Sequence, residues 1–319
     1  MHKISNRDIA EHVTSCLQLA ILLEINAPKP GNIHRNANFP KTNFEHFLAS
    51  AVAIAPSFMT ATEKGILVAE GKLRFANVGI GKIIKDAVER SNSWQHGGNT
   101  LLGTILLLSP IAVGAGKTLN ENDGILDLAK LRNNVEKVTT STTPRDAVAV
   151  YAAIEIAKPG GLNKVPNFDV SEPSSKHKIL RTRTTLFDLF EISASYDSIA
   201  CEWVKNYPLV FDSGFPFLWN EVKIKDTIND AIVHTFLKLL SENPDTLIAR
   251  KAGSMKAREI SQRARQVLDR GGLATQNGKE ALIEFDRNLR DLENKLNPGA
   301  TADLVAAALA LLILTGYRP

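Results

Sequence analysis

Between Glu24 and His34 the chain gathers a carboxylate (Glu24), an amine (Lys29), an amide (Asn32) and an imidazole (His34) around one glycine, Gly31. These groups can move protons and hold anions. Pro28 and Pro30 fix φ and remove two backbone donors, so the apolar helix that carries Glu24 cannot run through them. Gly31 lets the backbone approach a bound group. Val13, Leu17 and Ala20 precede Glu24 by eleven, seven and four residues, which places the carboxylate on the apolar face of that helix. A carboxylate there needs a partner.

Two further glycine turns stand beside polar residues: His96-Gly97-Gly98-Asn99-Thr100, and Asn297-Pro298-Gly299-Ala300-Thr301-Ala302-Asp303. With Pro30-Gly31-Asn32, they read as turns that open or precede helices, whose free N–H groups and positive dipole end suit phosphate. Ordinary helix capping by Asn99 and Thr301 is the competing reading, and an acid such as Asp303 in a first turn also complements the dipole. Asp245 leads into Arg250, Lys251 and Gly253, followed by Lys256, Arg258, Arg263, Arg265 and Arg270. That run is either a solvated helix face or a polyphosphate clamp, to which Arg181 and Arg183 could add. Glu24, Asp245 and Asp303 are the candidate catalytic groups and the candidate ligands for Mg2+. Lys29, Gly31, Asn32, His34, Arg35, Asn99, Thr100, Gly103, Arg250, Lys251, Gly299 and Thr301 are the candidate contacts to substrate and phosphate. His34, His46, His96 and His234 lack zinc-ligand spacing, and no Gly-x-Ser-x-Gly elbow, P-loop or dinucleotide fingerprint occurs.

Apolar residues at helical spacing recur almost everywhere, while alternating strands are hard to find. The expected fold is all-α: one globular multi-helix domain over residues 1–319 with buried central helices. Ser5 with Asp8, and Thr143-Pro144 with Asp146, mark helix starts, and Pro159-Gly160-Gly161 marks a stop. Further helices are expected at about 43–62, 79–90, 99–115, 185–200, 226–241, 255–270, 279–296 and 301–314. Lys158 to Arg183 reads as a long surface loop of the kind that forms lids. At 44% hydrophobic and 23% charged residues the chain has the balance of a globular enzyme, and a net charge of +4 is too weak for a dedicated nucleic-acid binder. Cys16 and Cys201 imply no disulfide framework. Leu101–Gly116 and Leu304–Leu314 are shorter than the roughly 20 residues a bilayer needs, so both are expected as core helices. The polar amino terminus carries no secretory signal, which makes the cytoplasm the expected compartment.

With Pro28-Lys29-Pro30-Gly31, Asn99-Thr100 ahead of Gly103, Asp245-Thr246 before a basic glycine turn, and Pro298-Gly299-Ala300-Thr301-Ala302-Asp303-Leu304, the chain resembles the triphosphoribosyl-dephospho-CoA synthase family from about Ala10 to Leu312. The resemblance implies an all-helical enzyme that joins the ribose C1 of ATP to the 2′-hydroxyl of dephospho-CoA, releasing adenine and keeping the triphosphate. It places Glu24, Lys29, Gly31, Asn99, Gly103, Asp245, Gly299 and Asp303 at family motif positions. The chain departs from the family pattern at His34, where Asp is usual, at Leu101-Leu102, where His-Lys is usual, and at Leu247, where Asn is usual. Asp146–Tyr151, Pro159–Leu162 and Tyr196–Ala200 look like a divergent archaeal and bacterial branch of the family.

Displacing adenine builds an oxocarbenium-like transition state, so the enzyme must hold polyphosphate, stabilise ring cation character and deprotonate a hydroxyl. The expected partners are ATP or another phosphoribosyl donor, an alcohol acceptor, Mg2+, and a second copy of the chain, with no nucleic acid and no membrane. The lost polar residues point to an acceptor less anionic than dephospho-CoA, such as the polyol arm of a methanopterin-type coenzyme. Two readings compete: a catalytically silent nucleotide-binding member, and a nucleic-acid binder working through the Arg250–Arg270 segment.

Overall fold

The computed structural model describes residues 5–162, 167–290 and 294–319, and among these there is no β-strand, only an isolated antiparallel bridge between His34 and Ala37. The helices are α1 (Asn6–Asn26), α2 (Phe44–Ala53), α3 (Ala55–Ala69), α4 (Ile80–Ser93), α5 (Leu102–Glu121), α6 (Leu128–Thr140), α7 (Pro144–Ala157) and α8 (Ser174–Thr182). They continue as α9 (Leu186–Ser193), α10 (Ser198–Val204), α11 (Phe215–Ile224), α12 (Ile228–Glu242), α13 (Thr246–Ala252), α14 (Ser254–Asp269), α15 (Gln276–Leu289) and α16 (Gly299–Leu314). Side chains from Ile9 to Leu314 share one continuous buried core.

Local signals set several of these boundaries. Ser5 and Asp8 form a reciprocal capping box on α1, and Thr143 and Asp146 form one on α7. Lys158 then ends α7 in the left-handed region just before the Pro159–Gly161 turn. The helix expected over 43–62 is two helices, because Pro56 near the start of α3 cannot donate into the preceding turn. The helix expected over 185–200 is also two, since the Asp197 side chain caps α10 by accepting from the Ile199 and Ala200 N–H groups. The long segment from Lys158 to Arg183 is not all loop: Ser174–Thr182 is helical, with Ile179 buried. The expected helices omit α6 and α13, and α11, which is entered through a π-helical turn at Leu209–Gly214. Residues 291–293, inside the last part of the expected 279–296 helix, lie outside the described residues.

The α5 and α16 helices run through the middle, with α1 and α3 packed against α5. Close approach needs glycine. A Cβ on Gly65 of α3 would fall 2.0 Å from the Val113 carbonyl oxygen, and one on Gly116 of α5 would fall 2.2 Å from that of Thr62. Among the described residues, α5 is the one helix long and apolar enough to cross a bilayer, yet 89% of its apolar window is buried inside the protein. Every residue from Leu304 to Leu314 of α16 is buried.

Pro110 inside α5 cannot donate to the Leu106 carbonyl one turn back. The Trp203 indole N–H donates to that oxygen at 3.1 Å, and the Tyr207 hydroxyl donates to the neighbouring Leu107 carbonyl at 3.1 Å. Both aromatic residues are fully buried, so they satisfy the break in α5 from outside the helix. Trp203→Phe is expected to lower stability by about 1–3 kcal/mol by orphaning the Leu106 oxygen. Urea unfolding measures this, and a change below about 0.5 kcal/mol would show that the carbonyl finds water instead.

Candidate active site

A cavity of about 1040 Å³ opens where the amino-terminal ends of α5 and α16 meet α7, α9, α10 and α13. Its volume lies at the upper end of the usual ~300–1,000 Å³ range for small-molecule sites, enough for two substrates side by side. Asn99, Gly103, Arg250, Lys251 and Asp303, five of the residues singled out by sequence, line it.

Asp303 sits in the first turns of α16, half-buried, with its carboxyl on the cavity floor. The Thr104 hydroxyl donates to its Oδ1 at 2.5 Å. Gly103 is the reason it fits: a Cβ there would lie 2.1 Å from Asp303 Oδ2. Desolvation, together with the charges of Glu24 and Asp245, pushes the Asp303 pKa up to about 8, against the bonds from Thr104. Burial at this floor thus favours the acid form of Asp303 near neutral pH. The other acids lining the cavity are engaged. Asp169 accepts from the Ser171 N–H and hydroxyl, and Asp197 caps α10 and pairs with Arg250.

Glu24 and Asp245 lie behind this floor rather than on the cavity wall. Lys29, wholly buried, forms an ion pair with Glu24 Oε1 at 2.9 Å and donates to the Glu24 and Ala27 carbonyls. Desolvation pushes the Glu24 carboxyl up and the Lys29 amine down, while each opposes the shift of the other. Lys29, expected as a phosphate contact, thus closes the end of α1, because its amine is the partner the buried Glu24 requires. Asp245 accepts from Leu247 N–H at 2.8 Å, Ile248 N–H at 3.1 Å, Thr301 N–H at 2.7 Å and the Thr301 hydroxyl at 2.8 Å. It caps α13 and ties it to the start of α16. Burial raises its pKa and these four donors oppose the rise.

The Pro30-Gly31-Asn32 turn opens no helix. Gly31, with φ +70°, donates its N–H to Asp286 of α15 at 2.7 Å, and a Cβ would strike Leu289. Arg290 donates to the Asn32 carbonyl at 2.8 Å and lies 3.3 Å from His34 Nε2. Burial and the charges of Arg290 and Lys29 push His34 down to about 4, so it is neutral. Asn32 reaches the Pro298 carbonyl, and Arg35 is exposed, away from the cavity. This turn supports the α16 start from behind, an arrangement that required knowing which helix packs there. Asn99 accepts from the Leu102 N–H at the start of α5, and the Thr100 hydroxyl bonds to Ser50. Both cap or brace, as the competing reading of these turns expects. Gly299 packs on Leu247, while its neighbours Asn297 and Ala300 line the cavity.

On the opposite wall stand Lys158, Arg250 and Lys251. Arg250 pairs with Asp197 through Nη1, and its Nε has no partner among the described residues. Beyond Lys251 the basic run is a helix face: Arg258, Arg265 and Arg270 are exposed and do not line this cavity, and the same holds for Arg181 and Arg183. Among the described residues no three His, Cys, Asp or Glu side chains converge on a point where they could hold a metal ion. Of the Glu24, Asp245 and Asp303 set, expected as Mg2+ ligands, Glu24 is paired with Lys29, Asp245 accepts from four N–H and O–H donors, and Asp303 lines the cavity. Sequence reading missed the apolar wall, Val150, Tyr151 and Ile154 of α7 with Leu186, Leu189 and Phe190 of α9. Its helical spacing was there to see, but which face would border a cavity was not.

Residues 10–318 match the family model described as ATP:dephospho-CoA triphosphoribosyl transferase. The chain belongs to this family. A Pseudomonas fluorescens Pf0-1 protein named as a probable 2-(5''-triphosphoribosyl)-3'-dephosphocoenzyme-A synthase is 26% identical over 293 residues, 89% of this chain and 85% of that protein. A second protein of that name, from P. fluorescens Pf-5, is 35% identical over 107 residues, 34% of this chain and 36% of that one. A crystal structure of an Archaeoglobus fulgidus protein assigned as a triphosphoribosyl-dephospho-CoA synthase superposes with a TM-score of 0.61 at 22% identity, covering 85% of this chain and all of that one, and shows the shared fold. Of the four departures from the family pattern, only Leu102 and Leu247 face the cavity. Leu101 is buried in the core and His34 lies behind the floor.

Proposed function

We propose that the chain transfers a triphosphoribosyl group from ATP to the 2′-hydroxyl of dephospho-CoA, with Asp303 as the group that moves the proton. The observation that carries this reading is the Asp303 carboxyl, held by Thr104 on the floor of a cavity large enough for two substrates, where burial favours its acid form. As the bond from ribose C1 to the adenine nitrogen breaks, adenine leaves with the electron pair and takes the Asp303 proton. The carboxylate so formed faces the cationic ring and then accepts the proton of the incoming hydroxyl as its oxygen bonds to C1. The proton lost by the acceptor ends on adenine, and Asp303 is restored. Thr104 fixes the rotamer throughout, and the charges of Glu24 and Asp245 favour positive charge on the sugar.

The donor phosphates belong at the floor between Asn99 and the Asn297–Ala300 turn, where the α5 and α16 dipoles point inward. Mg2+ would enter with this substrate and neutralise triphosphate charge, with Asn297 Oδ1, unpartnered among the described residues, as the oxygen that would hold it beside Asp303. An assay of adenine release with ATP, Mg2+ and dephospho-CoA, read by mass spectrometry of the acceptor, tests the proposal. The expected product is dephospho-CoA carrying a ribosyl triphosphate, and no adenine release would sink the reading. The apolar Leu102 and Leu247 favour a second acceptor class, a polyol alcohol, offered side by side in the same assay. If the polyol alone were ribosylated, the acceptor assignment would move to it.

A further inference from the structure

Three of the exposed large apolar side chains of this protein gather on the rim of the cavity: Leu162 at 53% exposure, Ile192 at 52% and Tyr196 at 46%. They stand beside its basic pair. Leu162 comes directly after the Gly160-Gly161 turn, which packs on that pair: a Cβ on Gly160 would meet Lys251 Cε at 2.8 Å, and one on Gly161 would meet Arg250 Cβ at 3.1 Å. Tyr196 precedes Asp197, the ion-pair partner of Arg250, and Ile192 lies one turn earlier on α9. Below the rim the apolar wall continues inward through Phe190, whose ring is fixed edge-on against Trp203 at 4.9 Å.

We infer that Arg250, Lys251 and this rim form the subsite for the acceptor, the basic pair holding its diphosphate and the Leu162, Ile192 and Tyr196 rim holding the uncharged arm beyond it. The inference rests on the proposed transfer reaction and adds which substrate sits where. The two substrates differ in the group attached beyond a phosphate seated on Arg250. The triphosphate of ATP ends there and would leave the apolar rim in water. A diphosphate that continues into an amide and alkyl arm, as in dephospho-CoA, lays that arm across it. Exposed apolar side chains have no such neighbour in the free protein, and covering them removes apolar surface from water. Asp197 engages Nη1 of Arg250, and the guanidinium, partly exposed to the cavity, keeps further N–H donors for a phosphate.

The test uses the full chain and steady-state adenine release. In the Leu162→Ser, Ile192→Ser double variant both changes fall on exposed positions, so folding is preserved, which circular dichroism verifies. The expected result is a rise of about tenfold in KM for dephospho-CoA, with KM for ATP within twofold of the parent, since the loss corresponds to the apolar area the arm covers. In the parent protein 4′-phosphopantetheine, which carries the arm and one phosphate without a nucleoside, should compete with dephospho-CoA and not with ATP, and its Ki should rise in parallel in the variant. An unchanged acceptor KM, or competition of 4′-phosphopantetheine against ATP, would overturn the assignment while leaving the transfer reading in place. Absence of adenine release in the parent would remove both, and so separates the two failures.

Discussion

Asp303→Asn should lower adenine release by about 10²–10⁴-fold while the protein folds as before, because the amide keeps the shape and the bond from Thr104 but holds no transferable proton. The pH profile gives a second reading of the same residue. With a pKa of about 8 the acid form dominates below that value, so turnover in the parent should be level near neutrality and decline above about pH 8. Stability should respond in the opposite sense to the usual carboxylate. The folded pKa of about 8 lies above the ordinary 3.8, so between these values the folded state holds a proton that the unfolded chain has released. Stability from this group is then fully present below about pH 4 and is lost as pH rises toward 8. Asp303→Asn removes that slope, so the variant should melt at or above the parent temperature at pH 7 and gain nothing at pH 4. Wild-type turnover in Asp303→Asn, or a melting temperature well below the parent at pH 7, would refute the assigned role.

Lys29→Met is expected to be the most destabilising of these changes, at about 3–5 kcal/mol, because it leaves the Glu24 carboxylate buried without its counter-charge and strips two carbonyl oxygens of a donor. Removing both members is different. In a Glu24→Leu, Lys29→Met double variant no unpaired charge is left, and most of the lost stability should return, since a buried ion pair and an apolar replacement are often close in free energy. The double variant also lacks one of the charges that raise Asp303, so the alkaline limb of its pH profile should move to lower pH. Denaturant unfolding of the single and double variants decides the first point. Equal destabilisation in both would mean that the end of α1 depends on Glu24 and Lys29 for their shape and not for their charge.

Helix content and most helix starts could be read from the chain because their causes lie within four residues. Ser5 with Asp8, Thr143 with Asp146, and the apolar spacing of α1 act locally, and a one-dimensional pattern carries them fully. The sequence likewise pointed to Asp303, Gly103, Asn99, Arg250 and Lys251 as parts of one site, and to Glu24 as a buried acid in need of a partner. Tertiary structure decided the division of labour among the acids. Asp245 is held by Thr301 across 56 positions and Asp303 by Thr104 across 199, and no local pattern states which of the two acids will face a cavity. The same holds for Gly31, whose left-handed turn packs on α15 instead of on a ligand, and for Leu162, Ile192 and Tyr196, which adjoin Arg250 only because α7, α9 and α13 converge. Short-range hydrogen bonding shapes elements, whereas the protonation state of a carboxyl depends on every charge and every apolar wall brought within a few ångströms of it, and that is set by packing alone.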